Sequence, residues 1–321
     1  MPHAAGADMR RGLIAWSKEQ VPTSALDARV RRVQQALGAQ RLDALLAYTS
    51  VARPAAVSWL THFIPYWNEA LVAVLPEGPP SLIASFSKRM HPWIREVSHV
   101  GEILPAPDLG RAAAAFVEKR GLKRVGVVDL EYLPWSVAEP IGIGIGAELV
   151  DASELFASLR QPADRYENAL AVRAAQIAER ALAAIPSRPR HASEILSVVE
   201  LAARREGAEE IIPRVTQMGD RNAVELSVAY KGVWIRLCRT YPLVAEAESW
   251  FESVLQGHAP PPGKLTRRTV ESCIGGSPLS VVEDSDRVYR PLPAGAQAVL
   301  SVRLELGDGP WRAAAPFLVR A

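Results

Sequence analysis

The sequence predicts an α/β domain followed by an α+β domain. In the first half, short apolar strands alternate with segments of helical spacing; in the second, two amphipathic helices lead into a β-hairpin. At 321 residues the chain can hold two domains of ordinary size, each with its own core. We place an amino-terminal arm at 1–25, the first domain at 26–160 and the second at 161–321.

Each element follows from local pattern. Leu26, Val30, Val33 and Leu37 recur at helical spacing, with Arg29, Arg31 and Arg32 assigned to the opposite face. Leu42 to Tyr48 reads as a buried strand, Val57 to Thr61 as the next element, and Ala70 to Leu75 as a strand closed by the Pro-Glu-Gly-Pro-Pro turn and paired with Ser81 to Ser85. A helix from Asp108 to Arg120 leads through Gly121 into the strand Arg124 to Asp129. Gly142, Gly144 and Gly146 in the GIGIG stretch look like a dinucleotide fingerprint but lack its spacing and the helix it must open, so the stretch is expected to be a loop.

In the second half, Asp164 to Ile185 is a long amphipathic helix. Ser193 to Glu206 is another, with Ser193 as expected N-cap and Gly207 as terminator. A short connection is expected from Gly207 to Gly219. The hairpin follows: Val224, Leu226 and Val228 alternate with Glu225 and Ser227, Lys231-Gly232 turns the chain, and Val233, Ile235 and Leu237 alternate with Trp234, Arg236 and Cys238. Val244 to Gln256 reads as a helix, Thr266 to Cys273 as a resumed segment, and Ala298 to Leu304 and Pro316 to Val319 as the last strands.

Composition narrows the functional classes. With 49% hydrophobic and 22% charged residues the chain is globular. Its net charge of +2, from 37 basic and 35 acidic residues, gives no broad field to gather nucleic acid or an anionic membrane. Two cysteines, Cys238 and Cys273, cannot make a disulfide framework and are expected as reduced thiols in a cytoplasmic protein. No membrane span is found, and Leu13-Ile14-Ala15-Trp16 is too short for a signal-peptide core.

The stretch from Gly219 to Thr240 resembles the metal-binding hairpin of the creatinase/aminopeptidase P/prolidase family, the "pita-bread" peptidases. Gly219-Asp220, Gly232 and Arg239-Thr240 fall at matching places. Residues 26–160 resemble the same family's creatinase-type amino-terminal domain through the Arg-rich first helix, Leu42-Asp43-Ala44-Leu45-Leu46, Trp59-Leu60-Thr61-His62-Phe63, Val125-Gly126-Val127-Val128-Asp129, Glu148-Leu149-Val150-Asp151 and Leu159-Arg160. The resemblance implies a creatinase-type α/β domain followed by a shortened pita-bread domain, and a dimer in which the first domain meets a partner subunit.

The resemblance also shows where this chain departs. Glu225 stands where the first metal-binding aspartate should be and Arg236 where the second should be, and a guanidinium has no lone pair for a cation. Ile274-Gly275-Gly276 stands near a loop that should present a histidine. Arg303 falls at a glutamate ligand, and the last ligand falls around Ala313 or Ala314. Of five ligand positions only Glu225 is acidic, too few carboxylates for a hydrolytic dimetal site. The metal-free creatinase route needs a histidine, and none stands between His191 and His258; Glu283, Asp284 and Asp286 would remain for acid/base work but read more simply as a solvated loop.

His62 is expected at a subunit interface or lining a pocket. His91 and His99, eight apart with no third ligand, fall short of a metal site. Trp59, Tyr66, Trp67, Trp93 and Trp135 are assigned to core and interface packing, with Phe63 to Trp67 as an exposed run for a homodimer.

These residues imply a non-catalytic peptidase homologue, without cofactor or metal, acting as a binding or partner subunit. The alternative is a metal-independent hydrolase or lyase in which Arg236, Arg239 and Arg303 bind a small anion in the old cavity. A weaker alternative is a Xaa-Pro aminopeptidase-like metallopeptidase. The pocket candidates are Glu225, Arg236, Arg239, Arg303 and His62.

Overall fold

The structure, a computed structural model, describes residues 16–50, 55–65, 68–186, 191–256, 260–272 and 294–319. Contacts among the described residues divide the chain into a unit that ends at Arg160 and a unit that begins at Gln161.

The first unit runs α1 (Thr23–Gln40), β1 (Ala44–Thr49), α2 (Ala55–Thr61), β2 (Ala70–Val74), β3 (Ser81–Ala84), α3 (His91–Val97), β4 (Ile103–Pro105), α4 (Leu109–Lys119), β5 (Arg124–Val128), α5 (Trp135–Glu139), β6 (Glu148–Asp151) and α6 (Ser153–Leu159). Its six-stranded sheet has the order β4-β3-β2-β1-β5-β6, mixed in direction: β1 pairs β2 antiparallel and β5 parallel. Alternation places Leu45, Val72 and Leu82 in one core with Val30, Val33, Leu37 and Leu60, and Leu46, Leu71 and Ile83 in another with Ala113, Phe116 and Val117. The sheet is thus buried on both faces, which is why its strands read as continuous apolar runs.

Local devices fix this unit. Arg41, at φ 53, ends α1 in the left-handed conformation and caps it with its backbone N–H. The Asp43 carboxylate accepts the backbone N–H groups of Lys123 and Arg124 at 2.7 and 2.8 Å, joining the start of β1 to that of β5. Those two bonds hold its carboxyl below the usual range. Gly110 lets α4 approach α5 so closely that a Cβ would sit 1.9 Å from the Ser136 carbonyl oxygen.

Three sequence expectations change here. Arg29 is not on a solvated face: it is 3% exposed, donates to the Trp59 carbonyl at 2.9 Å and stacks on that ring. Arg32 and Arg160 also face the Trp59 ring, so this aromatic is a core post clasped by guanidiniums. Phe63 is fully buried against Phe86 and Trp93, because its ring completes the core under α3; it cannot belong to an exposed run, and Tyr66 and Trp67 lie outside the described residues. The GIGIG stretch is a wide helical turn, Pro140–Gly144, continuing α5, with Ile141 buried as its anchor and Ile143 exposed.

The second unit runs α7 (Arg165–Ala183), α8 (Ala192–Arg205), β7 (Glu210–Met218), β8 (Arg221–Tyr230), β9 (Val233–Tyr241), α9 (Ala245–Gln256), β10 (Lys264–Ser272), β11 (Gln297–Leu306) and β12 (Gly309–Leu318). Asp164 caps α7 by accepting from the backbone N–H groups of Tyr166 and Glu167. Ser193 does not cap α8; the N-cap position is His191, without a side-chain cap bond, and Ser193 lies in the first turn. The sheet has the order β10-β11-β12-β9-β8-β7, antiparallel at every pairing.

The segment expected as a connection after Gly207 is the strand β7, paired with β8 from Glu210↔Ala229 to Met218↔Arg221. Pro213 has no N–H to give a neighbour, and β7 is accordingly an edge strand. Lys231 and Gly232 have φ of 50 and 78, the paired left-handed conformations of a tight two-residue hairpin turn. The final strand is far longer than Pro316 to Val319: β12 turns back on β11 at Gly307-Asp308, where Asp308 pairs with Arg221.

One face of this sheet is apolar. Val224, Leu226, Val228, Ile235 and Leu237 pack under α7 and α8, and Leu300, Val302, Leu304, Trp311 and Ala313 pack under α9. The residues between them in sequence point to the other face.

Candidate functional site

The face turned away from the helices carries the polar side chains. Cross-strand pairing aligns Thr269, Ser301, Ala314, Cys238, Glu225 and Arg214 in one row, and Arg267, Arg303 and Arg312 in another. The period of two puts each member there: a shift of one residue would bury these charges under the helices.

Glu225 stands in the first row between Cys238 and Arg214. Its Oε2 accepts from Arg312 Nη2 at 2.7 Å, and its Oε1 lies 3.8 Å from Arg236 Nε. The Glu225, Arg236 and Arg312 side chains are 12, 14 and 20% exposed, so the pairing is screened little by water. Arg236 Nε also donates to the Ser227 hydroxyl opposite it at 3.4 Å. Cys238, directly across from Glu225, is 1% exposed; burial pushes its thiol up to about 12, against the pull of Arg312. A thiol so protonated is no nucleophile at neutral pH.

The candidates from the sequence do not all meet here. Glu225 and Arg236 do. Arg303 lies on the same face, opposite Arg312, with its nearest ion pair to Glu305 at 3.9 Å. Arg239 does not: it is paired with Val224, so it projects to the face under the helices, where it stands against Tyr241 and the Glu248 carboxyl that burial pushes up. The strand alternation that separates Arg239 from Arg236 is the reason. His62 is buried at the end of α2 in the first unit, with φ 62. His99 is paired with Asp27 at 2.7 Å. Of the two carboxy-terminal positions, Ala314 faces the polar side and Ala313 the α9 core. Glu283, Asp284, Asp286 and the Ile274-Gly275-Gly276 stretch lie outside the described residues.

Sequence reasoning missed Arg312. The signal was available in its alternation with Trp311 and Ala313, but only once this stretch is recognised as strand. Arg312 links Glu225 to a cavity of about 480 Å³, lined by Arg267, Arg303 and Arg312 with the hydroxyls of Thr216, Thr269 and Ser301.

A divalent metal needs several oxygen or nitrogen donors converging with lone pairs free. At Glu225 both carboxylate oxygens face guanidiniums, and the neighbours are arginine, serine and a protonated thiol. Among the described residues no group of three or more histidine, cysteine, aspartate or glutamate side chains could hold a metal ion. The residues around Glu225 do not fit a dimetal centre.

A sandwiched α/β sheet followed by an antiparallel sheet, with helices on one face and a polar cavity on the other, defines the two-domain architecture of the pita-bread peptidases. Residues 29–161 match the family model of the Creatinase/Prolidase N-terminal domain. The whole chain has the fold of solved peptidases. It is similar to the prolidase from Pyrococcus horikoshii OT3, with a TM-score of 0.68, 15% identity and coverage of 91% of this chain and 95% of that one. For the Xaa-Pro dipeptidase from Bacillus anthracis the values are 0.67, 17%, 92% and 95%. For the X-Pro aminopeptidase from Thermotoga maritima MSB8 they are 0.68, 15%, 91% and 94%. No curated protein matches the chain in sequence. Among the described residues no helix is long and apolar enough to cross a membrane.

Proposed function

We propose that this protein is a peptidase homologue that binds rather than hydrolyses, a ligand-binding or partner subunit built on the prolidase-like fold. One observation carries the reading: Glu225 is held between Arg312 and Arg236, so the acid that a metal would require is committed to two fixed cations. Displacing them would leave guanidiniums partly buried without a counter-charge, a cost of about 3–5 kcal/mol for a buried pair.

The test is metal analysis combined with a peptidase assay. Purified protein is expected to hold no stoichiometric manganese, cobalt or zinc, and to leave Xaa-Pro peptides intact when each is added. Two metals per chain with peptide turnover would overturn the proposal. The cavity beside Arg303 and Arg312 supports a second reading, a metal-independent hydrolase or lyase acting on a small anion. Turnover by the metal-free protein would identify it. A cytoplasmic location and a homodimer belong to the same proposal, the first resting on a sequence with only two cysteines, expected as reduced thiols, and the second on the creatinase-type first domain.

A further inference from the structure

We infer that the exposed stripe of Trp135, Glu139 and Ile143 on the first unit docks a basic segment of a partner protein, one that sets an apolar side chain among lysines or arginines. The inference rests on the partner-subunit reading and gives that partner its chemistry.

The helical spacing is the first argument. Leu133, Val137 and Ile141 recur every four residues and are buried in the core shared with α4. A step of four slightly overshoots one turn of an α-helix, and the wider turn at Pro140–Gly144 takes up the drift. Trp135, Glu139 and Ile143, offset by two residues, therefore run as one stripe along the face turned away from that core. Trp135 is 66% exposed and Ile143 70%, with Tyr132 just ahead of α5 at 45%. Of the eight large apolar side chains exposed among the described residues, three thus fall between 132 and 143. Singly exposed apolar residues are ordinary, whereas a cluster holding a tryptophan marks an interaction surface.

The second argument is the pair of glycines around Ile143. A Cβ at Gly142 or Gly144 would meet its nearest neighbour at 3.9 Å, an ordinary contact, so packing does not demand glycine at either place. Their effect is on the outside. Bare backbone on both sides leaves Ile143 standing clear and open to close approach.

The third argument is charge, which chooses the occupant. From Val125 to Leu159 the chain carries Asp129, Glu131, Glu139, Glu148, Asp151 and Glu154 but no lysine, arginine or histidine, although its net charge is +2. Glu139 lies within the stripe and Glu131 beside Tyr132, both exposed. Two neighbouring arginines have acids of their own: Arg124 lies 3.3 Å from Glu148, and Arg111 on α4 lies 3.3 Å from Asp108. A second copy docked about a two-fold axis through the stripe would set Glu139 against Glu139, a like-charge contact that disfavours it. Nucleic acid and anionic membrane meet the same repulsion. A basic polypeptide with an apolar anchor is attracted on both counts, and a guanidinium or ammonium over the Trp135 indole adds a cation–π contact.

Random-peptide display on the intact protein tests the surface, after the library has been depleted on a Trp135→Ser, Ile143→Ser double variant. Enriched peptides are expected to carry lysine or arginine on either side of an aromatic or aliphatic residue. Labelled copies followed by fluorescence anisotropy should bind at least tenfold more weakly to Trp135→Ser and to Glu139→Lys, and more weakly to the parent as salt rises. All these substitutions fall on exposed side chains, so each variant should melt with the parent; Glu131→Lys repeats the charge test at a second position. No enrichment, enriched peptides without a basic excess, or binding unchanged in both lysine variants would overturn the inference. A mass by light scattering that halves in Trp135→Ser would also overturn it, by giving this face to a second copy. Each of these failures would leave the non-hydrolytic proposal standing. Metal-dependent peptide turnover would overturn that proposal without altering the anisotropy titrations.

Discussion

Replacing Glu225 with glutamine removes a carboxylate that Arg236 and Arg312 share while keeping its shape. The two cations then repel within a weakly screened site, and the variant should lose about 1–3 kcal/mol of stability, read from its denaturant midpoint. A second residue-scale prediction concerns alkaline pH. Burial raises the Cys238 thiol from an ordinary 9.0 to about 12 and the Tyr241 phenol from 10.0 to about 12; the phenol donates to the Leu182 carbonyl at 2.7 Å. Both groups stay protonated in the folded chain where the unfolded chain has lost its protons. Their contribution is therefore intact below about pH 9 and lost as pH rises towards 12. From the thiol alone, stability should fall by about 1 kcal/mol between pH 9 and pH 10. Denaturant titrations at both values should show this fall diminished in Cys238→Ala.

At the scale of elements, Gly110 opposes two rules. Alanine inside a helix ordinarily gains about 1 kcal/mol over glycine. Here its methyl carbon would meet the Ser136 carbonyl at 1.9 Å, so the clash should win and Gly110→Ala should lower stability by about 1–3 kcal/mol in a chemical denaturation curve. Much of the element pattern was legible in the sequence: α1, β1, α4, β5, α7 and the β8–β9 hairpin follow from apolar period and from the Lys231-Gly232 turn. The strand β7 was not, because Pro213 interrupts its alternation and reads as a breaker. Nor was the start of β12, whose Gly309-Pro310 opening resembles a turn. The site was legible in part. Glu225 and Arg236 share a face by simple alternation, whereas Arg239, three residues beyond Arg236, falls on the other face by the same rule. Arg267 could not be found from sequence, since only the bulge in its pairing brings it opposite Arg303.

For the whole molecule, each unit carries cores of its own, those of the first sheet above and below β1 and those of the second beneath α7, α8 and α9. A fragment of residues 10–160 is expected to unfold cooperatively by circular dichroism; a broad melt would show that its cores depend on the rest of the chain. The homodimer proposal predicts a mass by light scattering of twice the 34.9 kDa chain. Burial of Phe63 removes one of its original supports, so a monomer at micromolar concentration would leave the first domain's family match as no guide to assembly here.

Pro213 has a consequence for company as well as for shape. An open sheet invites another extended chain to join its border, and such recruitment is the opening step of both peptide capture and fibre growth. On β7 that border is blunted, because the proline offers no N–H to an incoming backbone. Backbone addition along β7 is therefore disfavoured at Pro213. Pro213→Val, which restores the missing donor, should make the protein gather into high-mass species on mild heating, seen by light scattering, while the parent stays dispersed.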